Sequence, residues 1–167
     1  MSTLQLTNKR DDNDVRQFVC FRISDEDYGI EIKYIQDIHQ IISITRIPQA
    51  PDYVEGVINL RGKIIPVIDL RKRFDLPVQE SVRPENRIIV VDTNGIVVGF
   101  IVDLVTEVLR ISKKFIMEPP DIIRYNPQNQ FIDNLVILDE KKILITLNVQ
   151  RLLSEPEKND LLSLMNT

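Results

Sequence analysis

The chain has 167 residues, with 21 Lys plus Arg against 25 Asp plus Glu and a formal net charge of −4. That length suits one globular unit or two small ones, and the acidic balance argues against a protein that coats nucleic-acid phosphates. One Cys and one His leave no internal disulfide, no multi-cysteine metal site and little material for acid–base or nucleophilic chemistry.

The longest charge-free apolar run, Gly95 to Val102, falls far short of the ~20 residues a membrane-spanning helix needs. The N-terminus carries no stretch like a secretory signal. The expectation is a cytoplasmic domain that binds and does not catalyse, with no catalytic residue, metal site, cofactor or direct membrane insertion.

In chain order, residues 1–14 are polar and read as a flexible N-terminus. The apolar content is then dominated by 25 Ile and 16 Val against a single Ala, a bias toward strands. Val19 to Ile23 and Tyr28 to Ile32 flank the polar loop at 24–27. Gly56 to Leu60 and Lys63 to Ile68 flank Arg61-Gly62. Arg87 to Val91 and Ile96 to Val102 flank a loop ending in Asn94-Gly95, the strongest short hairpin signal. Asn134 to Leu138 and Lys142 to Leu147 flank residues 139–141. Pro48, Pro51, Pro119, Pro120 and Pro127 exclude strands at those points, and Pro77 to Pro84 reads as a linker. Residues 155–167 are a tail in which Glu155 to Met165 suits a short helix, with Leu161, Leu162 and Met165 on one side.

An internal repeat organises these units. Tyr28 to Ile38 aligns with Val98 to Val108 at an offset of 70, Gly29 over Gly99 and Asp37 over Glu107. Further on, Val57 to Leu60 aligns with Leu135 to Leu138, and Val67 to Leu70 with Thr146 to Val149. Each half then supplies two hairpins and a fifth segment, such as Ser43 to Ile47 or Val108 to Ile111. The fold expected is all-β: two small five-stranded β-barrels of SH3 or OB size, packed together with a pseudo-twofold internal repeat, plus short helices. The first barrel would span residues 15–82 and the second 83–154, strand exchange between them remaining open.

Tyr28-Gly29-Ile30-Glu31-Ile32, Thr45-Arg46-Ile47-Pro48, the run from Gly56 through Asn59-Leu60-Arg61-Gly62 to Leu70, and Val98 to Asp103 resemble the CheW family of bacterial chemotaxis coupling proteins. The resemblance spans about Phe18 to Leu153. It implies two β-barrels, no catalysis, and a scaffold role in signal transduction through a two-component system. The implied partners are the regulatory domain of the histidine kinase CheA and the cytoplasmic tips of methyl-accepting chemoreceptors, with recruitment to receptor arrays at the inner face of the membrane. The kinase domain resembles the same family. Because the module consumes the 167 residues, with no kinase, phosphotransfer or receiver segment beside it, a separate coupling protein is expected.

Two stripes at a spacing of three, Ile32, Ile35, Ile38 and Val102, Val105, Val108, are either core or the walls of one apolar groove. The family's receptor surface favours the groove, which would take a helical receptor tip. Arg61, in the turn Asn59-Leu60-Arg61-Gly62, is either a solvated turn residue or the partner of Asp37, where the family usually has Glu. Cys20 reads as a small hydrophobe, His39 lacks an evident partner, and Arg71-Lys72-Arg73 reads as a solvated basic cluster or as a contact for an acidic patch on a partner. A single-stranded nucleic-acid binder is the alternative function, disfavoured by the absence of Trp and by aromatics at 6%.

Overall fold

A computed structural model of the chain describes residues 14–165. The expected flexible terminus therefore lies, except for Asp14, outside the described residues. The protein is mostly β with short helices. In order it forms β1 (Val15–Ile23), β2 (Glu26–Glu31), β3 (Ile35–Gln40), β4 (Val54–Leu60), β5 (Lys63–Asp69), α1 (Leu70–Arg73), β6 (Arg87–Thr93), β7 (Ile96–Val102), β8 (Leu104–Ser112), β9 (Ile116–Met117), α2 (Asp121–Arg124), β10 (Ile132–Ile137), β11 (Ile143–Leu147) and α3 (Glu155–Met165).

All four hairpins form at the expected places. The β1–β2 connection is tighter than the four-residue loop read from the sequence: Ile23 pairs with Glu26, and Ser24 at φ 58° makes the turn. Residues 76–86, which include the expected linker, have no helix or strand.

The strands make two sheets, β8-β1-β2-β11-β10-β9 and β3-β6-β7-β5-β4. Taken strand by strand the two orders are the same, with β8, β1, β2, β11, β10 answering to β3, β6, β7, β5, β4. The parallel ladders that join the hairpins answer to each other as well. Gly29 pairs with Thr146 on one side and Gly99 with Val67 on the other, the very residues that the repeat aligns. At Gly99 the approach is close, since a Cβ there would lie 2.7 Å from Ile88 Cγ2.

Two expectations are corrected. Among the described residues neither sheet closes into a hydrogen-bonded barrel. In the first, the chain after Ser112 bends through one 3₁₀ turn (Lys113–Phe115), and Pro119-Pro120 leaves β9 only two residues to pair with β10. In the second, Ser43 to Ile47 yields one bridge, Thr45 to Val57, instead of a strand. Gly56 bulges β4 beside that bridge at φ 150°, where a Cβ would sit 2.2 Å from Thr45 O. The second correction concerns sequence continuity. Among the described residues one compact unit comprises 14–34 and 106–152, the other 35–105 and 153–165, so a boundary at 82/83 falls inside the second unit.

Each unit has its own apolar centre. Phe18, Cys20, Leu109, Ile111, Val136 and Leu144 cluster in the first. Ile58, Ile65, Val67, Ile88 and Val90 cluster in the second, with Ile41, Ile42 and Ile44 packed against them. Helix α3 begins with a capping box: Glu157 N–H donates to Ser154 Oγ (3.2 Å) and Ser154 N–H to Glu157 Oε1 (2.8 Å). Leu161 is buried and Leu162 is 41% exposed, so these two do not share a face; the Met165 side chain lies outside the described set.

Each cation of the Arg71-Lys72-Arg73 cluster has an acidic partner, with Lys72 alone of the three exposed. Arg71 grips Asp103 with Nε and Nη2 at 2.9 and 2.5 Å and donates from Nη1 to Pro77 O at 2.7 Å. Lys72 pairs with Glu55, and Arg73 with Glu157 at 3.1 Å. The Arg71–Asp103 fork is largely buried and ties α1 to the end of β7. Removing one partner strands the other charge, so Arg71→Met should cost about 2–3 kcal/mol. In the Arg71→Met, Asp103→Leu double variant much of that loss should return. Urea denaturation of the three variants checks this, and a double variant as unstable as the sum of the singles would contradict it.

Candidate functional site

Strand β3 alternates half-buried and exposed side chains, so Asp37 and His39, two apart, lie on the same side. Asp37 collects three partners. Its Oδ2 lies 2.9 Å from His39 Nε2 and 3.1 Å from Arg61 Nη2, and its Oδ1 accepts from Ile38 N–H at 2.9 Å. The Asp37–Arg61 pair read from the sequence is therefore made, through one nitrogen and not as a bidentate fork. His39 does have an orienting partner, and it is the same carboxylate.

Arg61 is set by its turn. Arg61 and Gly62 both adopt positive φ (54° and 82°), as a two-residue hairpin of this twist requires, and Asn59 Oδ1 accepts from Gly62 N–H at 3.0 Å. The left-handed conformation costs arginine roughly 1–2 kcal/mol, while Asn or Gly adopts it with less strain. The strain leaves the guanidinium on a fixed hairpin tip, its side chain 77% exposed. Since β3 and β4 are opposite edges of their sheet, the contact also shows that this sheet curls until side chains of its two edges meet.

The apolar stripes separate into different roles. Ile32, in the 3₁₀ turn after β2, is 41% exposed, Ile38 38% and Val108 48%. Ile35 and Val105 are half-buried, as is Leu60, and Asn59 and Gly62 are exposed. Val102 is 1% exposed, so it is core and offers no surface, which corrects its placement in the groove. Ile32 and Val108 belong to the first compact unit; Ile35, Asp37, Ile38, Asn59, Leu60, Arg61, Gly62 and Val105 belong to the second.

Beyond Ile32 and Val108, sequence reading overlooked other exposed apolar residues of the first unit. Ile122 and Tyr125, at and just after α2, are 85% and 70% exposed, and Ile137 and Ile143 face each other across β10 and β11, both about half exposed. The signal was present in the apolar type of the pair beside a polar turn. Cys20 stands among the first unit's core side chains, where burial pushes its thiol up to about 12, with Glu107 and Asp27 adding to the effect. No three His, Cys, Asp or Glu side chains gather to hold a metal among the described residues.

The sequence matches the family model of the CheW-like domain over residues 17–157. It is 40% identical over 120 residues to the chemotaxis protein CheW of Helicobacter pylori, covering 71% of this chain and 72% of that one. To the chemotaxis protein CheW of Klebsiella aerogenes it is 36% identical over 144 residues, 85% and 84% of the two chains. The fold is similar to the crystal structure of the scaffolding protein TtCheW from Thermoanaerobacter tengcongensis, with a TM-score of 0.74 at 36% identity over 83% of this chain and 92% of that one. The chain belongs to the CheW-like domain family, a family of chemotaxis coupling scaffolds.

The Cys20 environment makes a direct prediction. The folded thiol, held neutral, should resist an exposed-thiol reagent at pH 8 and react only at the rate of global opening. The unfolded thiol ionises near 9 and the folded one near 12. Between those values the folded state binds more protons, so Cys20 makes stability fall as pH rises from about 9 to about 12. Comparing the pH dependence of wild type with that of Cys20→Ala isolates the effect.

Proposed function

We propose that this protein couples methyl-accepting chemoreceptors to the histidine kinase CheA as a scaffold, without chemistry of its own. The observation that carries the reading is the match to chemotaxis CheW proteins over 71–85% of the chain, at 36–40% identity. The similarity to a solved scaffolding protein supports the same reading. Among the described residues no helix is long and apolar enough to cross a membrane. We place the protein in the cytoplasm, held at receptor arrays on the inner membrane face through its partners.

In the second unit the receptor-facing residues are Ile35, Asp37, Ile38 and Val105, with Arg61 presented by the tip Asn59-Leu60-Arg61-Gly62. Exposed Ile38 offers apolar area to a helical receptor tip. The Asp37–Arg61 pair adds about 0–1 kcal/mol to stability at such exposure, so its value lies in orienting Arg61. Ile32 and Val108, exposed on the first unit, are receptor contacts in their own right. The kinase regulatory domain takes a different face, for which the half-exposed pair Ile137 and Ile143 is our assignment. An apolar cross-strand pair at a hairpin end suits packing of one β domain end to end on another. The alternative of single-strand nucleic-acid binding has no observation in its favour that the family reading lacks.

The test measures receptor-fragment affinity, kinase affinity and melting temperature together. Ile35→Asp and Val105→Asp should weaken receptor binding at least tenfold, because the carboxylate must be desolvated on docking. Several kcal/mol of such cost removes most of a micromolar interaction of ~8 kcal/mol. Kinase affinity should hold, and the melting temperature should fall by less than ~4 °C, corresponding to about 1 kcal/mol. Ile137→Asp should do the reverse, weakening the kinase and sparing the receptor. Arg61→Glu should weaken receptor binding, and Asp37→Arg added to it should restore part. Equal loss of both partners in every variant would sink the two-surface reading.

A further inference from the structure

The chain has a single histidine, and it stands beside the residues assigned to the receptor. Across the ladder on β6, Asp37 and His39 face Val90 and Ile88, both buried and apolar. The two polar side chains are half-buried, whereas that of Arg61 is largely exposed. An ionised carboxylate only accepts, so His39 Nε2 carries a proton and donates it to Asp37 Oδ2 at 2.9 Å. Arg61 Nη2 lies 3.1 Å from that same oxygen. Asp37 Oδ1 is taken by the Ile38 N–H at 2.9 Å, so the carboxylate cannot offer each donor its own oxygen without breaking that bond. The other cations nearby are placed elsewhere. Arg87, opposite Gln40 on β6, donates to Pro84 O and Asn86 O at 2.7 and 2.8 Å, and Lys63 stands opposite Leu60 in the β4–β5 hairpin. Among the described residues Asp37 is the one acidic contact of both His39 and Arg61.

We propose that His39 is a positioning residue of this site: neutral, it holds the Asp37 carboxylate in place for Arg61, and on taking a proton it draws that carboxylate to itself and releases Arg61. The proton comes from solvent and adds at Nδ1, the ring nitrogen without a partner among the described residues. The positive charge spreads over the ring, and the Nε2–H bond to Asp37 becomes charge-assisted, roughly twice as strong as its neutral form. Two cations then compete for one oxygen and repel each other. Arg61 yields, because its hold on Asp37 is a single bond from an exposed side chain that water readily rehydrates. A guanidinium no longer tethered explores more rotamers and meets a receptor helix less well oriented. Only this consequence for binding rests on the receptor reading above; the exchange itself takes place within the free chain.

The experiment follows the full chain by NMR from about pH 8 to about pH 5.5, the range in which histidine ordinarily changes charge. With one histidine present, the imidazole signal needs no assignment. In the wild type the Arg61 Cζ signal should move along the imidazole titration curve. In His39→Gln, whose amide can donate to Asp37 but takes no proton, it should stay flat. Affinity for the receptor cytoplasmic fragment should fall about threefold over the same range in the wild type, the scale of one exposed ion pair. His39→Gln should remove that difference from the wild-type profile. At pH 8 His39→Ala should bind the fragment more weakly, and His39→Gln should recover most of the loss. An Arg61 signal that ignores the imidazole titration overturns the proposal, as does one that shifts equally in His39→Gln. So does a loss in His39→Gln as large as in His39→Ala, or a wild-type affinity without pH dependence while Arg61→Glu still weakens binding. Should Arg61→Glu leave receptor affinity unchanged while the Arg61 signal follows the imidazole, the receptor reading falls and the exchange between His39 and Arg61 stands.

Discussion

Neither half of this chain can finish a sheet from its own strands, and the rest of the structure depends on that constraint. The hairpin β1–β2 lies between β8 and β11, both from the second repeat. The hairpin β6–β7 lies between β3 and β5, both from the first. Each repeat therefore lends its first hairpin to the other as the centre of a sheet. Central strands bury both faces, and the burial patterns say so: β1, β2, β6 and β7 carry runs of buried residues, while β3 alternates and most of β8 is exposed. Near-continuous apolar runs such as Ile88 to Val91 follow from this placement, as they do in sheets covered on both sides.

The candidate surfaces inherit their geometry from the exchange. Because β3 ends up at an edge beside β6, Asp37 and His39 project from a strand with one side unpaired. Because β4 is the opposite edge of the same sheet, the Arg61 tip comes round to meet Asp37. A hairpin tip at positive φ is stiff, so the guanidinium is presented with little rotational freedom in the backbone beneath it. On the first unit, β8 stands at an edge as well, and the exposed Val108 and Arg110 result from that position. The candidate interaction residues thus gather at sheet edges and hairpin tips, while the lent hairpins hold the cores.

Much of this was legible in the sequence. Strand alternation and the Arg61-Gly62 and Asn94-Gly95 turns located the hairpins, because turn chemistry is local. The alignment of Gly29 with Gly99 anticipated the equivalent parallel ladders, since close backbone approach demands glycine at both. The Asp37–Arg61 pair also came through, on the strength of the family resemblance. What stayed hidden was long-range. Arg71 and Asp103 stand 32 positions apart, so the fork looked like a solvated cluster. His39 looked unpartnered because its partner, two residues back, becomes a neighbour only on a strand. Val102 shared a spacing of three with Val105 and Val108, yet β7 ends between them, and its last residue turns into the core. The barrels failed to close for a local reason, Pro119-Pro120 and the Gly56 bulge, whose effect on pairing depends on where neighbouring strands lie.

The most direct test of the account is fragment complementation across the irregular stretch from Pro77 to Pro84. Residues 1–80 and 81–167 are produced separately, and thermal unfolding and amide dispersion are measured for each and for an equimolar mixture. Since each fragment lacks the central hairpin of one sheet and the flanking strands of the other, neither should unfold cooperatively alone. The mixture should recover a single transition and the spectrum of the intact chain. A cooperative transition with native-like dispersion in either fragment by itself would show that a half completes its own sheet, and would contradict the exchange on which the structure is built.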